Sequence, residues 1–375
     1  MSPHHTTTSP AAPAPRSAPT RPAELAEQLW QALLALDESA AVAAVLRALD
    51  QGLAPESALL DVIARVQGRI GEEWAADRIT VAQEHAATAI NDRAVGAVAL
   101  HPAARTRPHR GKVTVACVDG EWHALPARLL AEVLRLRGWH VDYLGAQVPA
   151  PHLIAHVHRT GPDVVALSSS LPTRLPTAHA TITACRAAGT PVIVGGAAFG
   201  PDGRYARLLG ADAWAPDART AADDLARAPL GRPCPGRQSL DDLPHLQDQE
   251  YTLVARGRQR LVREVFVELQ ENHPAMREYT DVQRERTAED LSHIVDFLAA
   301  SLYTDDTDLF LRFLLWTADV LESRGVPATS LLPALALLAH RLSDFPRATA
   351  TLRAASARLT RTGTRTPLTP TGTTA

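Results

Sequence analysis

The pattern with the clearest chemical meaning is Glu121-Trp122-His123, which places a carboxylate two residues before an imidazole. It follows the apolar, strand-like run 112–118 and precedes a helical pattern over 124–137. A side chain at the carboxyl end of such a strand points into the crevice where open α/β sheets bind ligands. A nearby carboxylate orients an imidazole and makes it a better metal ligand. The pattern therefore predicts that His123 ligates a metal, with Glu121 as its orienting group.

Two further turns are expected at the same edge of the sheet. Ser169 and Leu171 follow the apolar run 164–167, and Gly195-Gly196 end the run 191–194. Glycines let a ligand approach the backbone closely, and a serine hydroxyl can donate to a buried ring nitrogen or amide. A lone histidine near a strand end usually lies on the polar surface and binds no ligand. The Ser and Gly-Gly turns at the neighbouring strand ends are what favour a ligand role for His123. Together they outline a pocket for one large, flat cofactor.

A second candidate cluster is Trp74 with Glu84-His85, spaced W-x9-E-H. Trp74 falls late in a third predicted helix, and the Glu-His pair falls in the first turn of a fourth, after a capping box at 80–83. A hairpin between these helices brings all three side chains to one end of a bundle. They would form a lid over a polar-edged ligand. If this cluster is considered alone, a tryptophan in the core and a carboxylate that caps a helix explain it better than a ligand lid does.

The elements that position these residues fall into three folded units. Residues 22–106 carry helical apolar stripes and predict a four-helix bundle. Residues 110–230 alternate strand-like and helical runs, typical of a Rossmann-like doubly wound parallel sheet. Residues 245–359 are again all helical, so the fold class is multidomain α and α/β. The remaining segments, two disordered tails and a Pro- and Gly-rich linker, are 1–21, 360–375 and 231–244.

Composition excludes several classes of function. The formal net charge of the 375 residues is -3, which argues against a general nucleic-acid binder. No apolar run is long enough to span a bilayer, and the N-terminus has no secretory signal pattern. The three cysteines, Cys117, Cys185 and Cys234, are far apart and are expected to be reduced thiols. We therefore expect a cytoplasmic protein with no membrane association.

A helical bundle followed by a sheet that carries E-x-H, S-x-L and G-G in this order resembles a cobalamin-binding module. The W-x9-E-H element makes it similar to the adenosylcobalamin-dependent photoreceptor regulators of the CarH type, over roughly residues 22–230. The resemblance implies that His123, oriented by Glu121, ligates cobalt from below. It also implies a pocket for the nucleotide tail and a lid over the adenosyl face. The tail pocket would be lined by Ser169, Leu171, Gly195 and Gly196, and the lid would be Trp74, Glu84 and His85.

The chain departs from that family at two positions. Pro126 stands where the family's D/E-x-H-x-x-G has glycine, which a helix tolerates in its first turn. Ala75 stands where the family has a histidine that captures cobalt after light, so a bis-histidine photoproduct is not expected. The family's N-terminal DNA-binding domain has no counterpart in the sequence. We therefore expect no direct DNA binding, and output through an unknown protein effector or a homodimer interface.

The C-terminal unit is similar to a globin-like fold, and its combination with a cobalamin module resembles the photocobilins. This implies a second chromophore, biliverdin or a related linear tetrapyrrole, which binds non-covalently because no cysteine follows Cys234. Bilin sites need polar partners, cations for propionates and aromatic walls. A run of arginines more often forms a solvent-exposed face than a propionate site, and a tryptophan more often lies in the core than beside a ligand. The candidates are His293, Arg260 with its neighbours Arg256, Arg258 and Arg263, Tyr279, Tyr303 and Trp316.

Three functions remain open from the sequence. The first is a light sensor, in which light breaks the cobalt–carbon bond, frees Trp74 and shifts the bundle against the sheet. The second is a corrinoid carrier subunit of a methyltransferase or mutase, which needs the same sheet and helical cap. The lid favours the larger adenosyl ligand over a methyl carrier. The third is a stress-signalling scaffold whose globin-like unit holds no ligand.

Overall fold

The computed structural model describes residues 21–228, 230–232 and 243–363. The predictions for most of both tails and for most of the linker concern residues outside these ranges. The first unit is the expected four-helix bundle, whose third helix is a continuous run of three segments. Its elements are α1 (Pro22–Leu34), α2 (Glu38–Asp50), α3 (Pro55–Ser57), a π-helical turn (Ala58–Ile63), α4 (Ala64–Ala75) and α5 (Val81–Leu100).

The third helix of the bundle buries one apolar face along its length. The apolar period of Leu60, Ile63, Val66, Ile70 and Trp74 predicts this face. Ile63 is fully buried, and Leu60 is partly buried against the same core, next to the fully buried Leu59. Beyond the π-helical turn, Val66 and Ile70 are buried as expected.

The second unit is the predicted doubly wound sheet. Its five strands are all parallel and lie in the order β2-β1-β3-β4-β5. Chain order reverses between β1 and β3, so the ligand crevice of such a fold lies beyond the carboxyl ends of these two strands. The strands are β1 (Lys112–Cys117), β2 (His140–Gly145), β3 (Val164–Ser168), β4 (Val192–Gly195) and β5 (Ala213–Ala215). The helices between and after them are α6 (Ala124–Leu136), α7 (Ala150–Thr160), α8 (Leu175–Ala187), α9 (Arg204–Leu208) and α10 (Ala218–Arg227).

The third unit is all helical, as predicted, although its globin-like character stays a prediction. Its last helix ends at Gly363, so the tail predicted from residue 360 begins too early. The helix continues because Leu359 is fully buried, and the Thr360 hydroxyl donates to the Ser356 carbonyl in the last turns. The helices are α11 (Glu250–Asn272), α12 (Asp281–Thr304), α13 (Thr307–Ser323), α14 (Leu332–Arg341) and α15 (Pro346–Gly363).

The C-terminal helices pack against both other units. At the sheet, Tyr303 of α12 joins the apolar core of β3 and α8, and Arg312 of α13 donates to the Tyr205 hydroxyl at 2.9 Å. At the bundle, the Ser323 hydroxyl donates to the carbonyl of Ala75 at 3.0 Å. Within the described residues, no helix has the length and apolarity that a membrane crossing requires.

Candidate functional site

Glu121 is the centre of a buried hydrogen-bond network at the carboxyl end of β1. Its side chain has no exposed surface. Oε2 accepts from the Ser169 hydroxyl at 3.1 Å and from the backbone N–H groups of Ser170 and Leu171 at 2.7 and 3.0 Å. Oε1 accepts from the backbone N–H of His123 at 3.0 Å. The carboxylate therefore joins the turn after β1 to the turn after β3.

The same carboxylate fixes the ring of His123. Nδ1 of His123 lies 2.5 Å from Oε1 of Glu121. Burial alone raises the pKa of Glu121, but hydrogen bonds from the His123 ring and from backbone N–H groups lower it to about 2. A charged carboxylate at this distance requires the proton of the neutral ring to sit on Nδ1. Nε2 then carries the free lone pair, and it has no hydrogen-bond partner among the described residues. This is the donor that a metal ligand needs.

Trp122 completes this end of the sheet and was not singled out by its sequence position. Its side chain is 51% exposed and stacks on His123, with ring centroids 3.8 Å apart. The ring centroid of His85 lies 6.5 Å from that of Trp122. Trp122 therefore neighbours a residue of each predicted cluster. The signal that could have identified it is a large aromatic residue between two residues already assigned to a ligand site.

Gly196 holds the turn after β4 against the turn after β3. Its φ of +98° is a conformation that glycine adopts readily. A Cβ at this position would lie 2.3 Å from the carbonyl oxygen of Ser169. Only glycine lets the two backbones approach in this way, so Gly196 also positions the Ser169 hydroxyl toward Glu121. In the structure, Ser169 and Leu171 thus donate hydrogen bonds to Glu121. Their contact with a cofactor tail stays a prediction.

A narrow cavity of about 110 Å³ opens beside Gly195 and Gly196. Its walls come from β3, β4, the end of β5 and the first turns of α6 and α10. Small side chains such as Ala215 and Ala218 leave this space open, and Pro126 lines it from α6. Helix α6 begins at Ala124 with Pro126 in its first turn, so the departure from the family's glycine is accommodated. That this cavity receives the end of a cofactor tail stays a prediction.

The second predicted cluster lies at the hairpin between α4 and α5. A capping box starts α5, since Thr80 and Gln83 exchange hydrogen bonds of 3.2 and 2.9 Å. This places Glu84 and His85 in the first turn, and Nδ1 of His85 lies 2.6 Å from Oε2 of Glu84. The carboxylate of Glu84 also accepts from Thr88 at 3.0 Å. The pair is preformed, and the His85 side chain is 64% exposed on the side of Trp122.

Trp74 is held by the C-terminal unit. Its ring packs against Trp316 of α13, with centroids 6.1 Å apart. The Arg324 guanidinium lies 5.4 Å from the Trp74 ring centroid and donates to the Trp74 carbonyl at 3.2 Å. Trp74 is therefore half-buried at a junction between two units rather than within the bundle core.

The residues predicted to surround a bilin have separate surroundings. His293 is exposed on α12, and the Arg260 side chain is 75% exposed on α11. Tyr279 is half-buried against the core of the C-terminal helices. Trp316 contacts Trp74 of the bundle and is 47% exposed. The bilin contacts named from the sequence stay a prediction.

Tyr303 is also buried, at the boundary with the sheet. Its hydroxyl lies 2.7 Å from Nδ1 of His179 on α8, and its ring makes an edge contact with Tyr251 at 4.8 Å. It therefore serves the packing of α12 on the sheet unit.

Comparison with known proteins now identifies the class of module. Residues 25–99 and 111–226 each match a family of B12 binding domains. These two matches coincide with the bundle and the sheet, and the site geometry fits a cobalt ligand at His123. The first two units therefore form a cobalamin-binding module.

Two curated relatives are similar to this module. The HTH-type transcriptional repressor CarH of Myxococcus xanthus is 39% identical over 168 residues, 44% of this chain and 51% of that protein. The repressor CarA of the same organism is 38% identical over 124 residues, 32% of this chain and 41% of that protein. The chain thus spans about half the length of these relatives or less. Because both are named as HTH-type repressors, they give no support to the expected absence of DNA binding, which stays a prediction.

Solved structures of similar proteins include other corrinoid-binding proteins. The monomethylamine corrinoid protein of Methanosarcina barkeri is 18% identical, with a TM-score of 0.47 over 55% of this chain and 99% of that one. A cobalamin-binding protein of Desulfitobacterium hafniense is 24% identical, with a TM-score of 0.31 over 54% of this chain and 97% of that one.

Proposed function

We propose that this protein is a light sensor that binds adenosylcobalamin between its bundle and its sheet. When bound, the cofactor supplies a cobalt–carbon bond that visible light breaks. His123, oriented by Glu121, would ligate the cobalt. Trp74, Glu84 and His85 would cover the adenosyl face. The observation that carries this proposal is the orientation of His123, since a buried carboxylate holds Nδ1 and leaves Nε2 available.

The contacts of Trp74 support a route for the signal. Its ring touches Trp316, and its carbonyl accepts from Arg324, so a displacement of the lid changes contacts in the C-terminal unit. A ligand shifts a conformational equilibrium only through contacts that differ between two states. The junction at Trp74 offers such contacts. Output then passes to a downstream protein or through a homodimer interface.

A second part of the proposal concerns the C-terminal helices. We propose that they bind biliverdin or a related linear tetrapyrrole without a covalent bond, which would extend the wavelength response. The support is the combination of an all-helical unit with a cobalamin module and the lack of a cysteine after Cys234. The proposed protein is not itself an enzyme.

The test is the ultraviolet–visible spectrum of the full chain supplied with both cofactors, recorded before and after illumination. The proposal expects a light-sensitive cobalamin spectrum together with a red bilin band. A light-stable cobalamin spectrum, with methyl transfer when a partner enzyme is added, would instead identify a corrinoid carrier subunit. A cobalamin spectrum without a bilin band would remove the second chromophore and leave the first part standing.

A further inference from the structure

A second cleft, of about 390 Å³, lies between the sheet unit and the C-terminal helices. Its size is within the range of small-molecule sites. One wall is the segment after β3, which contributes Arg174. The other wall comes from α11 and α12, where Ala255, Ala299 and Ala300 leave room because their side chains are short. The cleft is distinct from the cavity beside Gly195.

The charges in the cleft favour an anionic ligand. Arg258 is paired with Asp296, whose carboxylate lies 2.5 Å from Nε of Arg258. Arg174 has no ion-pair partner within the part of the chain that the structure describes, and its Nε is buried without a hydrogen-bond partner there. One uncompensated guanidinium therefore remains. A guanidinium binds a planar carboxylate through two parallel hydrogen bonds.

Arg174 also touches the cobalamin site. A Cβ built on Gly120 would lie 2.9 Å from Nη1 of Arg174, so the guanidinium lies directly over the residue before Glu121. Arg174 is three residues after Leu171, whose N–H donates to Glu121. Arg174 itself therefore joins the cleft to the segments on either side of Glu121, and the two sites are physically linked through this residue.

We infer that this cleft binds a ligand that carries a carboxylate, which pairs with Arg174 while Tyr251 and the alanines of α11 and α12 contact its apolar part. This inference rests on the proposed function, in which the ligand is the tetrapyrrole and the carboxylate is one of its propionates. A free dicarboxylate has the same chemistry, so the test separates the two sources.

The experiment titrates the cobalamin-loaded full chain with biliverdin, biliverdin dimethyl ester and succinate, followed by visible absorbance or calorimetry. We expect biliverdin to bind at least about tenfold more tightly than its ester, which has no carboxylate. Arg174→Gln should remove that difference and leave the ester's affinity unchanged, and Arg174→Lys should restore part of it. Ala255→Phe, which fills the cleft and keeps Arg174, should weaken both tetrapyrroles. Arg286→Gln, on an α12 side chain that is 72% exposed, is the matched control and should change nothing.

The outcomes separate this inference from the proposed function. If biliverdin and its ester bind equally well, and Arg174→Gln does not change the affinity for biliverdin, the cleft assignment is wrong and bilin binding stands. If only succinate binds, in a manner that depends on Arg174, the carboxylate site stands and the bilin proposal is wrong. If none of the three probes binds the parent protein, both fail.

Discussion

Trp74 and Trp316 pack against each other across the junction of the bundle and the C-terminal helices, with ring planes inclined by 36°. The two residues come from separate units, and neither ring is buried inside its own. An aromatic pair of this kind contributes about 0.5–1.5 kcal/mol beyond its buried area. The side chain proposed to cover the adenosyl group is therefore stabilised by the unit proposed to receive the signal.

Trp316→Ala should loosen the lid without affecting the cobalt ligand. Trp74 then loses its ring partner, and we expect the preference for adenosylcobalamin over methylcobalamin to fall by about two- to tenfold. Equilibrium titration of both cobalamins in the dark measures this. Leu253→Ala, at another exposed apolar side chain of the same unit, is the control and should have no effect. An unchanged preference in Trp316→Ala would disconnect this contact from the lid.

Glu121→Gln should weaken both the fold and the cofactor site. The buried carboxylate accepts from Ser169, Ser170, Leu171 and His123, so its neutral replacement leaves donors poorly paired. We expect the free energy of unfolding to fall by about 2 kcal/mol and cobalamin affinity to fall by at least about tenfold. Urea denaturation and spectral titration measure the two effects.

The matched control for Glu121→Gln is Glu289→Gln, at a side chain that is 49% exposed on α12. It should change the unfolding free energy by less than about 0.5 kcal/mol. Equal effects of the two substitutions on cobalamin affinity would mean that Glu121 does not orient the ligand.

Gly196→Ala tests the close approach of the turns after β3 and β4. Gly189 has a similar positive φ of +79°, but a Cβ there would meet nothing within 4 Å. Gly189→Ala therefore measures backbone strain alone, about 1 kcal/mol. Gly196→Ala adds the clash with the Ser169 carbonyl, and we expect it to cost at least about 2 kcal/mol more in urea unfolding. Similar losses in the two variants would show that the turns are not in contact.

The ion pair between Glu56 and Arg137 gives the docking of the bundle on the sheet a pH dependence. Two hydrogen bonds of 2.7 and 2.9 Å join the side chains. The hydrogen bond from Arg137 outweighs burial and lowers the pKa of Glu56 below its ordinary value of 4.5. Because the folded-state pKa is the lower one, the stabilisation is complete above about pH 4.5 and is lost as pH falls through the folded-state pKa.

Glu56→Gln should therefore lower the free energy of unfolding by about 1 kcal/mol at neutral pH, since the pair is partly exposed. The gap between parent and variant should shrink as pH falls below about 4.5. Urea unfolding at a series of pH values measures it. A gap that stays constant with pH would assign the effect to packing rather than charge.

The sequence predicts the elements and the strand-end placement of His123, because parallel strands read as apolar runs and their ends share one edge. It does not predict what holds Glu121, since two of the donors are the backbone N–H groups of Ser170 and Leu171, which carry no residue-type signal. Nor does it predict the partner of Trp74. Arg324, which contacts Trp74, lies 250 positions further along the chain, and an apolar stripe shows which face is buried but not against what.

The most direct test of the central claim is electron paramagnetic resonance of the full chain loaded with cob(II)alamin, with histidine at natural abundance or labelled with nitrogen-15. If Nε2 of His123 ligates cobalt, labelling should change the nitrogen splitting from a three-line to a two-line pattern. His123→Ala should abolish that change, and His85→Ala should preserve it. A three-line pattern that persists in the labelled protein would show that the nitrogen on cobalt does not come from histidine, and would contradict the account.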